Sequence, residues 1–293
     1  MKRQLKVAIS GIFYLLTWPF SVLAAAVGLR VRPNLVILYY HDIPPASREQ
    51  FAHQMDKLTR RATVVGPDWR GGPIKGRVCA VTFDDAFVSV VDNALPELEK
   101  RQLPCTIFVP VGALGAAPAW TMETNYAPDE VVADQEQLKS LTSPLVTLGG
   151  HTLTHPFLSR LPREAARVEL EESRTRLSAL TGYDVRTMSF PYGDYDQEVL
   201  TMCRAAGYDL VYGIVPTKVD PEDGAFLRGR VAVNPDDSDL EFFLKMSGCY
   251  RWMSLASTVK HAVLSPLTIL KGRKSTPRKP VSPASPNRWS GSL

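Results

Sequence analysis

Short apolar runs alternate with longer amphipathic stretches through most of this 293-residue chain. The short runs are rich in β-branched and aromatic residues, which is typical of strands. Strands are predicted at 35–40, 78–83, 106–109, 145–148, 187–190, 210–213 and 231–233. Helices are predicted at 51–60, 93–101, 135–141, 163–181 and 197–206. This alternation favours a parallel α/β fold, most simply a barrel.

The polar residues with catalytic potential come directly after the predicted strands. Asp84 and Asp85 follow one strand, His151 another, His41 a third and Tyr192 a fourth. In parallel barrels the carboxyl ends of the strands carry the active site. We therefore expect these side chains to meet at one end of the sheet.

An Asp-Asp pair and an H-x-x-x-H pair together suggest a catalytic metal site. One carboxylate of Asp84 and Asp85, with the imidazoles of His151 and His155, makes a three-ligand set that leaves a position for water. Successive side chains on a strand point in opposite directions, so the second carboxylate is expected to take a proton instead. If residues 151–155 are helical, the two histidines lie about one turn apart and reach one ion. Taken singly, the aspartates also fit a solvated loop or a helix N-cap, and the histidines fit a surface or packed pair.

Two further strand ends carry candidate groups. Pro191 and Gly193 flank Tyr192 in a tight turn, which can present the Tyr192 backbone N–H to a developing oxyanion. An ordinary Pro-Gly turn is the alternative. His41, next to Asp42, is a candidate general acid for the leaving amine or alcohol, the alternative being a structural histidine at a strand terminus.

Residues 82–85 read T-F-D-D and residues 151–155 read H-T-L-T-H. These motifs, in this order, resemble those of the polysaccharide deacetylases of carbohydrate esterase family 4, the NodB-homology domain, over roughly residues 34–235. The resemblance implies a distorted (β/α)7–8 barrel, preceded here by an N-terminal transmembrane or signal helix.

The same resemblance implies the roles of the site residues. Asp84 would be the general base, Asp85, His151 and His155 the metal ligands, and the Tyr192 N–H the oxyanion donor. The ion would be zinc, with cobalt, nickel or iron also suited to these ligands. The substrate would be an N-acetylated or O-acetylated carbohydrate.

The chain departs from the family pattern at three places. The third motif, near residue 190, has no arginine, and Arg230 is predicted to supply that charge to Asp84 from another strand. The D-x-x-D-W motif is absent. The late L-x-H motif is also absent, since no histidine lies between His155 and His261. The early His41 fills this gap, as in exopolysaccharide deacetylases that act on poly-β-1,6-N-acetylglucosamine.

Charge is distributed unevenly along the chain. The first 33 residues hold five basic and no acidic residues, and residues 271–293 hold six basic and none acidic. The remaining part has 23 basic and 30 acidic side chains, a net charge of −7. An acidic catalytic domain argues against binding to nucleic acid. The four cysteines show no C-x-x-C spacing, and Cys79 and Cys105 are expected to be core residues.

The two ends of the chain are predicted to lie outside the catalytic domain. Residues 7–29 carry no charge, follow three basic residues and are long enough to span a bilayer. We expect a membrane anchor with the domain facing the periplasm or cell exterior, or a secreted protein if a signal is cleaved near Ala24. The predicted parts are 1–33 (anchor or signal), 34–250 (catalytic domain), 251–270 (C-terminal helix) and 271–293 (disordered basic tail).

The leading hypothesis is a metal-dependent deacetylase of an extracytoplasmic amino-sugar polymer. Its expected partners are the polysaccharide, the membrane and a polysaccharide synthase or export machinery. Alternatives with the same site are an O-acetyl esterase and a deacylase of a lipid-linked sugar. A third is a non-catalytic carbohydrate-binding relative, although binding alone needs no base beside a metal.

Overall fold

The computed structural model describes residues 2–27, 34–74, 76–121, 129–141 and 143–254. The predicted tail at 271–293 and nearly all of the predicted C-terminal helix lie outside these residues. The last residues of the predicted membrane segment, 28 and 29, also lie outside them.

Parallel strands form one sheet in the described part of the chain. The strands are β1 (Leu35–Tyr40), β2 (Thr63–Val64), β3 (Val78–Phe83), β4 (Cys105–Val109), β5 (Val146–Gly150), β6 (Thr187–Ser189), β7 (Leu210–Gly213), β8 (Leu227–Gly229) and β9 (Val231–Ala232). Their order is β8-β7-β6-β5-β4-β3-β1-β9, and β2 pairs with β3 outside this path. Every residue of β1 and β3 is buried, which explains their continuous apolar sequences.

One stretch of chain closes this sheet into a near-barrel. β8 pairs with β7 at one edge and β9 pairs with β1 at the other. Only Arg230 separates β8 from β9, so the same stretch serves both edges and leaves neither open. The seam between β5 and β6 is short, with one paired position, Gly150 opposite Met188.

Helices cover the outside of the sheet. They are α1 (Arg3–Ala26), α2 (Arg48–Arg61), α3 (Leu95–Lys100), α4 (Gln135–Ser140), α5 (Arg163–Thr181), α6 (Gln197–Ala205) and α7 (Asp239–Met246). The N-caps of α4, α6 and α7 are Asp134, Asp196 and Ser238, whose side chains accept backbone N–H bonds. Each cap satisfies a donor that the first turn leaves unpaired.

The α/β alternation predicted from the sequence is confirmed. The strands at 35–40, 78–83 and 210–213 and the helix at 163–181 have the predicted bounds, and the other predicted elements shift by three residues or fewer. Periodicity does not predict β2, β8 or α7, which span two, three and eight residues. Cys79 and Cys105 are buried in the core, as predicted, and both are free thiols.

Helix α1 packs beside α7 through its N-terminal half. Arg3 pairs with Asp237 and Glu241 at 2.9 and 2.7 Å. The ring of Tyr14 meets that of Phe243 edge to face, with centroids 5.4 Å apart. These contacts hold the first turns of α1 against the catalytic domain.

The predicted transmembrane span is not found in the described residues. None of their helices is long and apolar enough to cross a membrane. Helix α1, which contains Pro19, covers most of the predicted segment and contacts α7 through Arg3 and Tyr14.

Candidate active site

The predicted site residues converge on one small pocket at the carboxyl ends of the strands. Asp84 and Asp85 follow β3, His41 follows β1, and His151 and His155 follow β5; all of them line this pocket. Its volume is about 40 Å³. Tyr192, which follows β6, lines it as well.

Left-handed backbone conformations are concentrated around this pocket. The φ angles of Asp85, Thr152, His155 and Tyr192 are 68°, 65°, 62° and 57°. Each such residue costs on the order of 1–3 kcal/mol and persists only where its surroundings enforce it. Strained backbone of this kind commonly marks functional sites.

This backbone geometry corrects two expectations. Asp84 and Asp85 were expected to diverge like neighbours on a strand, yet β3 ends at Phe83 and the left-handed Asp85 turns its carboxylate into the same pocket. The helical conformation considered for residues 151–155 is not found, and they form a non-helical turn in which His155 N–H donates to Thr152 Oγ1 at 3.0 Å. The two imidazoles meet through this turn rather than through helical spacing.

Asp85, His151 and His155 form a cluster that suits a divalent metal. Their ligand atoms all lie within 4.8 Å of one another, and all three side chains are buried. Asp85 Oδ1 lies 3.2 Å from His155 Nε2 and 3.5 Å from His151 Nε2. In the part of the chain that the structure describes, Asp85 Oδ1 has no hydrogen-bond partner. A buried carboxylate oxygen that faces two imidazole nitrogens is the arrangement that a cation completes.

The orientation of His151 supports the same conclusion. Its Nδ1 lies 2.8 Å from the Ser189 carbonyl oxygen, so we assign the proton to Nδ1 and the lone pair to Nε2. Burial lowers the pKa of His151 to about 4, against a smaller raising effect of Asp84. The ring is therefore neutral at physiological pH, as a metal ligand must be.

Arg230 binds both oxygens of Asp84. Its Nη1 donates to Oδ1 at 2.8 Å and its Nη2 to Oδ2 at 2.7 Å, and both side chains are buried. The guanidinium also lies over the Tyr39 ring, 4.6 Å from its centroid. Burial is the largest single effect and raises the pKa of Asp84. The charge and hydrogen bonds of Arg230, with smaller effects of His151 and His41, together outweigh it and hold that pKa well below its usual range. Asp84 is therefore a carboxylate across the physiological range.

Ser189 contacts both the Asp84–Arg230 pair and the metal-site residue His151. Its hydroxyl donates to Asp84 Oδ2 at 3.3 Å and accepts a short hydrogen bond from Arg230 Nη2, while its carbonyl holds His151. The sequence identified this position only as one that lacks an arginine. A lone serine at a strand end carries no distinctive signal.

Glu169 is a second residue that the sequence analysis missed. From α5 its carboxylate accepts the backbone N–H groups of Leu153 and Thr154, both at 2.9 Å, and the Thr154 hydroxyl at 2.5 Å. These bonds hold the strained turn between the two metal-site histidines. No motif spacing predicts this clamp, because α5 reaches the turn only through the fold.

Aromatic rings line one wall of the pocket. Trp120 stacks on His155 with centroids 4.4 Å apart, and Tyr192 packs on Phe157 at 3.9 Å. The hydrogen bonds that shape the turn at Tyr192 come from the N–H groups of the next two residues, 193 and 194. His41 lies on another wall, beside Tyr39, with ring centroids 5.5 Å apart.

The polysaccharide deacetylase family profile matches residues 71–211, which include the Asp84–Asp85 pair, both metal-site histidines and the Tyr192 turn. This part of the chain is a polysaccharide deacetylase domain. The fold agrees, since the structure of IcaB from Ammonifex degensii superposes with a TM-score of 0.62 at 28% identity, covering 74% of this chain and 97% of that one. A Streptococcus pyogenes deacetylase, PplD, shares the fold at 19% identity and a TM-score of 0.61, covering 74% and 99% of the two chains.

Curated relatives of this deacetylase domain match more distantly. The poly-β-1,6-N-acetyl-D-glucosamine N-deacetylase of Staphylococcus aureus is 23% identical over 173 residues, which is 56% of this chain and 57% of that protein. YxkH of Bacillus subtilis, named for the same family, is 24% identical over 162 residues, or 55% and 53% of the two chains. The chain thus spans little more than half the length of these relatives.

Proposed function

We propose that this protein is a metal-dependent deacetylase that removes N-acetyl groups from an amino-sugar polymer. The observation that carries the proposal is the joint presence, in one buried pocket, of an arginine-bound carboxylate and a separate Asp-His-His cluster. Binding alone would require neither the arginine-bound aspartate nor its position next to the cluster.

Asp85, His151 and His155 would hold the metal. A divalent cation held by such ligands polarises a carbonyl oxygen and lowers the pKa of water. Two imidazoles and one carboxylate fit zinc, and they also suit cobalt, nickel and iron.

The other site residues have separate roles in proton transfer and in stabilising negative charge. Asp84, kept as a carboxylate by Arg230, accepts the proton of the attacking water. The Tyr192 N–H donates a hydrogen bond to the oxygen on which negative charge develops. His41 donates a proton to the nitrogen of the departing amine, because expulsion of an unprotonated amine is unfavourable.

The choice of an amide in an amino-sugar polymer rests on the names of the relatives and on the early histidine. An O-acetyl ester would use the same groups, but an alkoxide leaves more readily than an amine anion and depends less on His41. Export to the periplasm or cell exterior rests on the basic, then uncharged N-terminal sequence alone. A synthase or export partner stays a prediction as well.

Acetate release tests the proposal directly. The full chain is incubated with N-acetylglucosamine oligomers of different linkage and with an O-acetylated glycan, with chelator and with metal added back. We expect release from an N-acetylated oligomer that chelator stops and metal restores. Release from the ester alone would favour the esterase, and metal-loaded protein inactive on every glycan would contradict both.

A further inference from the structure

The catalytic pocket is much smaller than a sugar. At about 40 Å³ it holds a few water-sized groups, since one water needs roughly 10–15 Å³ by this measure. The acetyl group and the attacking water fill it. The sugar ring must therefore lie at its mouth, and the rest of the polymer needs a surface beside it.

A second cavity, of about 410 Å³, lies next to the pocket and shares the lining residues Tyr39 and Ile214 with it. Sites for small ligands typically measure about 300–1,000 Å³ and combine apolar walls with a few polar groups. This cavity has that character, with Pro216 on the barrel side, Lys6 on α1 and Tyr250 after α7. Its size and the two shared residues suit the adjacent unit of a polymer.

The wall formed by α1 and α7 is fixed by ion pairs. Arg3 is bound by Asp237 and Glu241, and Lys245 is bound by the same two carboxylates at 2.6 and 3.2 Å. The Tyr250 hydroxyl donates to Glu241 at 3.3 Å. Two of the cations that line the cavity are thus already neutralised and hold its shape.

Lys6 differs from these two cations. It lines the cavity, and no carboxylate among the described residues forms an ion pair with it. We propose that the cavity is a second sugar subsite, in which the Lys6 ammonium donates a hydrogen bond to the unit next to the one being deacetylated. The proposal rests on the proposed function and specifies its substrate as an oligomer. A neutral N-acetylated neighbour offers oxygen acceptors to Lys6, whereas a deacetylated neighbour brings a second cation.

Kinetics of the full chain on N-acetylglucosamine and its pentamer test this subsite. Lys6→Met keeps the aliphatic stem and removes the charge, and Lys2→Met removes an exposed charge that does not line the cavity. We expect Lys6→Met to raise KM for the pentamer about tenfold, the effect of one lost charge-assisted hydrogen bond, with kcat and the monosaccharide rate unchanged. Lys2→Met should match the wild type. Equal KM values for Lys6→Met and the wild type would overturn the proposal.

Two further measurements separate this subsite from the chemistry. Wild-type protein should prefer a fully acetylated oligomer over one with deacetylated neighbours, and Lys6→Met should lose that preference. Calorimetric binding of the pentamer to Asp84→Asn protein needs no turnover. In that background Lys6→Met should weaken binding about tenfold, and unchanged binding would refute the subsite. Absence of acetate release together with Lys6-dependent binding would refute only the proposed function.

Discussion

Asp84 and Asp85 are neighbours in sequence and lie in opposite electrostatic settings. Both oxygens of Asp84 are bound by Arg230, and Ser189 donates to one of them. Asp85 Oδ1 faces two imidazoles and, within the described residues, has no hydrogen-bond partner. Protein donors therefore bind both oxygens of Asp84, whereas Oδ1 of Asp85 lacks a hydrogen-bond donor among the described residues and is the oxygen that a cation would bind.

The backbone shows the same contrast. Asp84 continues the sheet, with its N–H donating to Tyr40 O at 2.9 Å. Asp85 and His155 have left-handed conformations, and Glu169 clamps the turn that carries His155. Of the two carboxylates, only the proposed metal ligand Asp85 has a strained backbone, and the affinity for a cation can offset that strain.

The largest effect is expected from removing the proposed base. Asp84→Asn should lower kcat by about 10²–10⁴-fold, the usual contribution of general base catalysis, while the Asp-His-His cluster keeps its metal. Acetate release and metal content of the same preparation measure both quantities. A variant that binds metal and keeps the wild-type kcat would show that Asp84 is not the base.

Replacing Arg230 should show how much its charge, as distinct from burial, contributes to the pKa of Asp84 and to stability. Arg230→Met leaves a buried carboxylate without its cation, which typically destabilises by about 3–5 kcal/mol. In the wild type the folded pKa of Asp84 lies below the unfolded value of about 3.9. The stabilisation is therefore present above about pH 4 and is lost as pH falls through the folded pKa.

In Arg230→Met the raising effect of burial on the pKa of Asp84 is opposed only by the smaller effects of His151 and His41, so the acid limb of kcat/KM should move to higher pH. Arg228→Met is the matched control, because Arg228 is also buried but donates to the carbonyls of Pro67 and Trp69. It should destabilise the protein without moving the pH profile. Identical profiles for the two variants would contradict the role given to Arg230.

Glu169→Gln should lower the affinity of the site for metal without changing the role of Asp84. Substitution of a residue that positions metal ligands commonly costs about 10–100-fold in metal affinity, and Gln cannot accept three hydrogen bonds as strongly as a carboxylate. Titration of metal-free protein should show this loss, with kcat largely restored at saturating metal. Glu172→Gln, on the same helix but paired with Arg176, should leave affinity unchanged. Equal affinities for both variants would exclude the clamp.

The smallest effect is expected at Ser189. Ser189→Ala removes the hydroxyl between Asp84 and Arg230 but keeps the carbonyl that holds His151. We expect a loss of about 0.5–1.5 kcal/mol in transition-state stabilisation, measured as kcat/KM, with metal affinity retained. Reduced metal affinity would place this hydroxyl on the metal side instead.

Much of the site could be predicted from the sequence because a short stretch of residues is enough to show where a strand ends. The apolar runs before Asp84, His41 and Tyr192 locate these residues at one end of a parallel sheet. Arg230 was predicted because the third motif, near residue 190, has no arginine. Arg230 lies between β8 and β9, which pair with the two edges of the sheet, and this position brings it to Asp84.

The remaining features depend on tertiary structure. The left-handed backbone of Asp85 has no sequence signal, so alternation along a strand gave the wrong direction for its carboxylate. Glu169 reaches the histidine turn from a helix, and Lys6, directly before the predicted membrane span, lines the cavity next to the pocket. Both depend on packing between distant parts of the chain.

A calorimetric titration with zinc tests most directly whether Asp84 and Asp85 have separate roles. The titrated samples are the metal-free Asp84→Asn and Asp85→Asn proteins. The account predicts wild-type stoichiometry and affinity for Asp84→Asn, and loss of the site in Asp85→Asn. Loss of zinc binding in Asp84→Asn, or wild-type binding in Asp85→Asn, would contradict it.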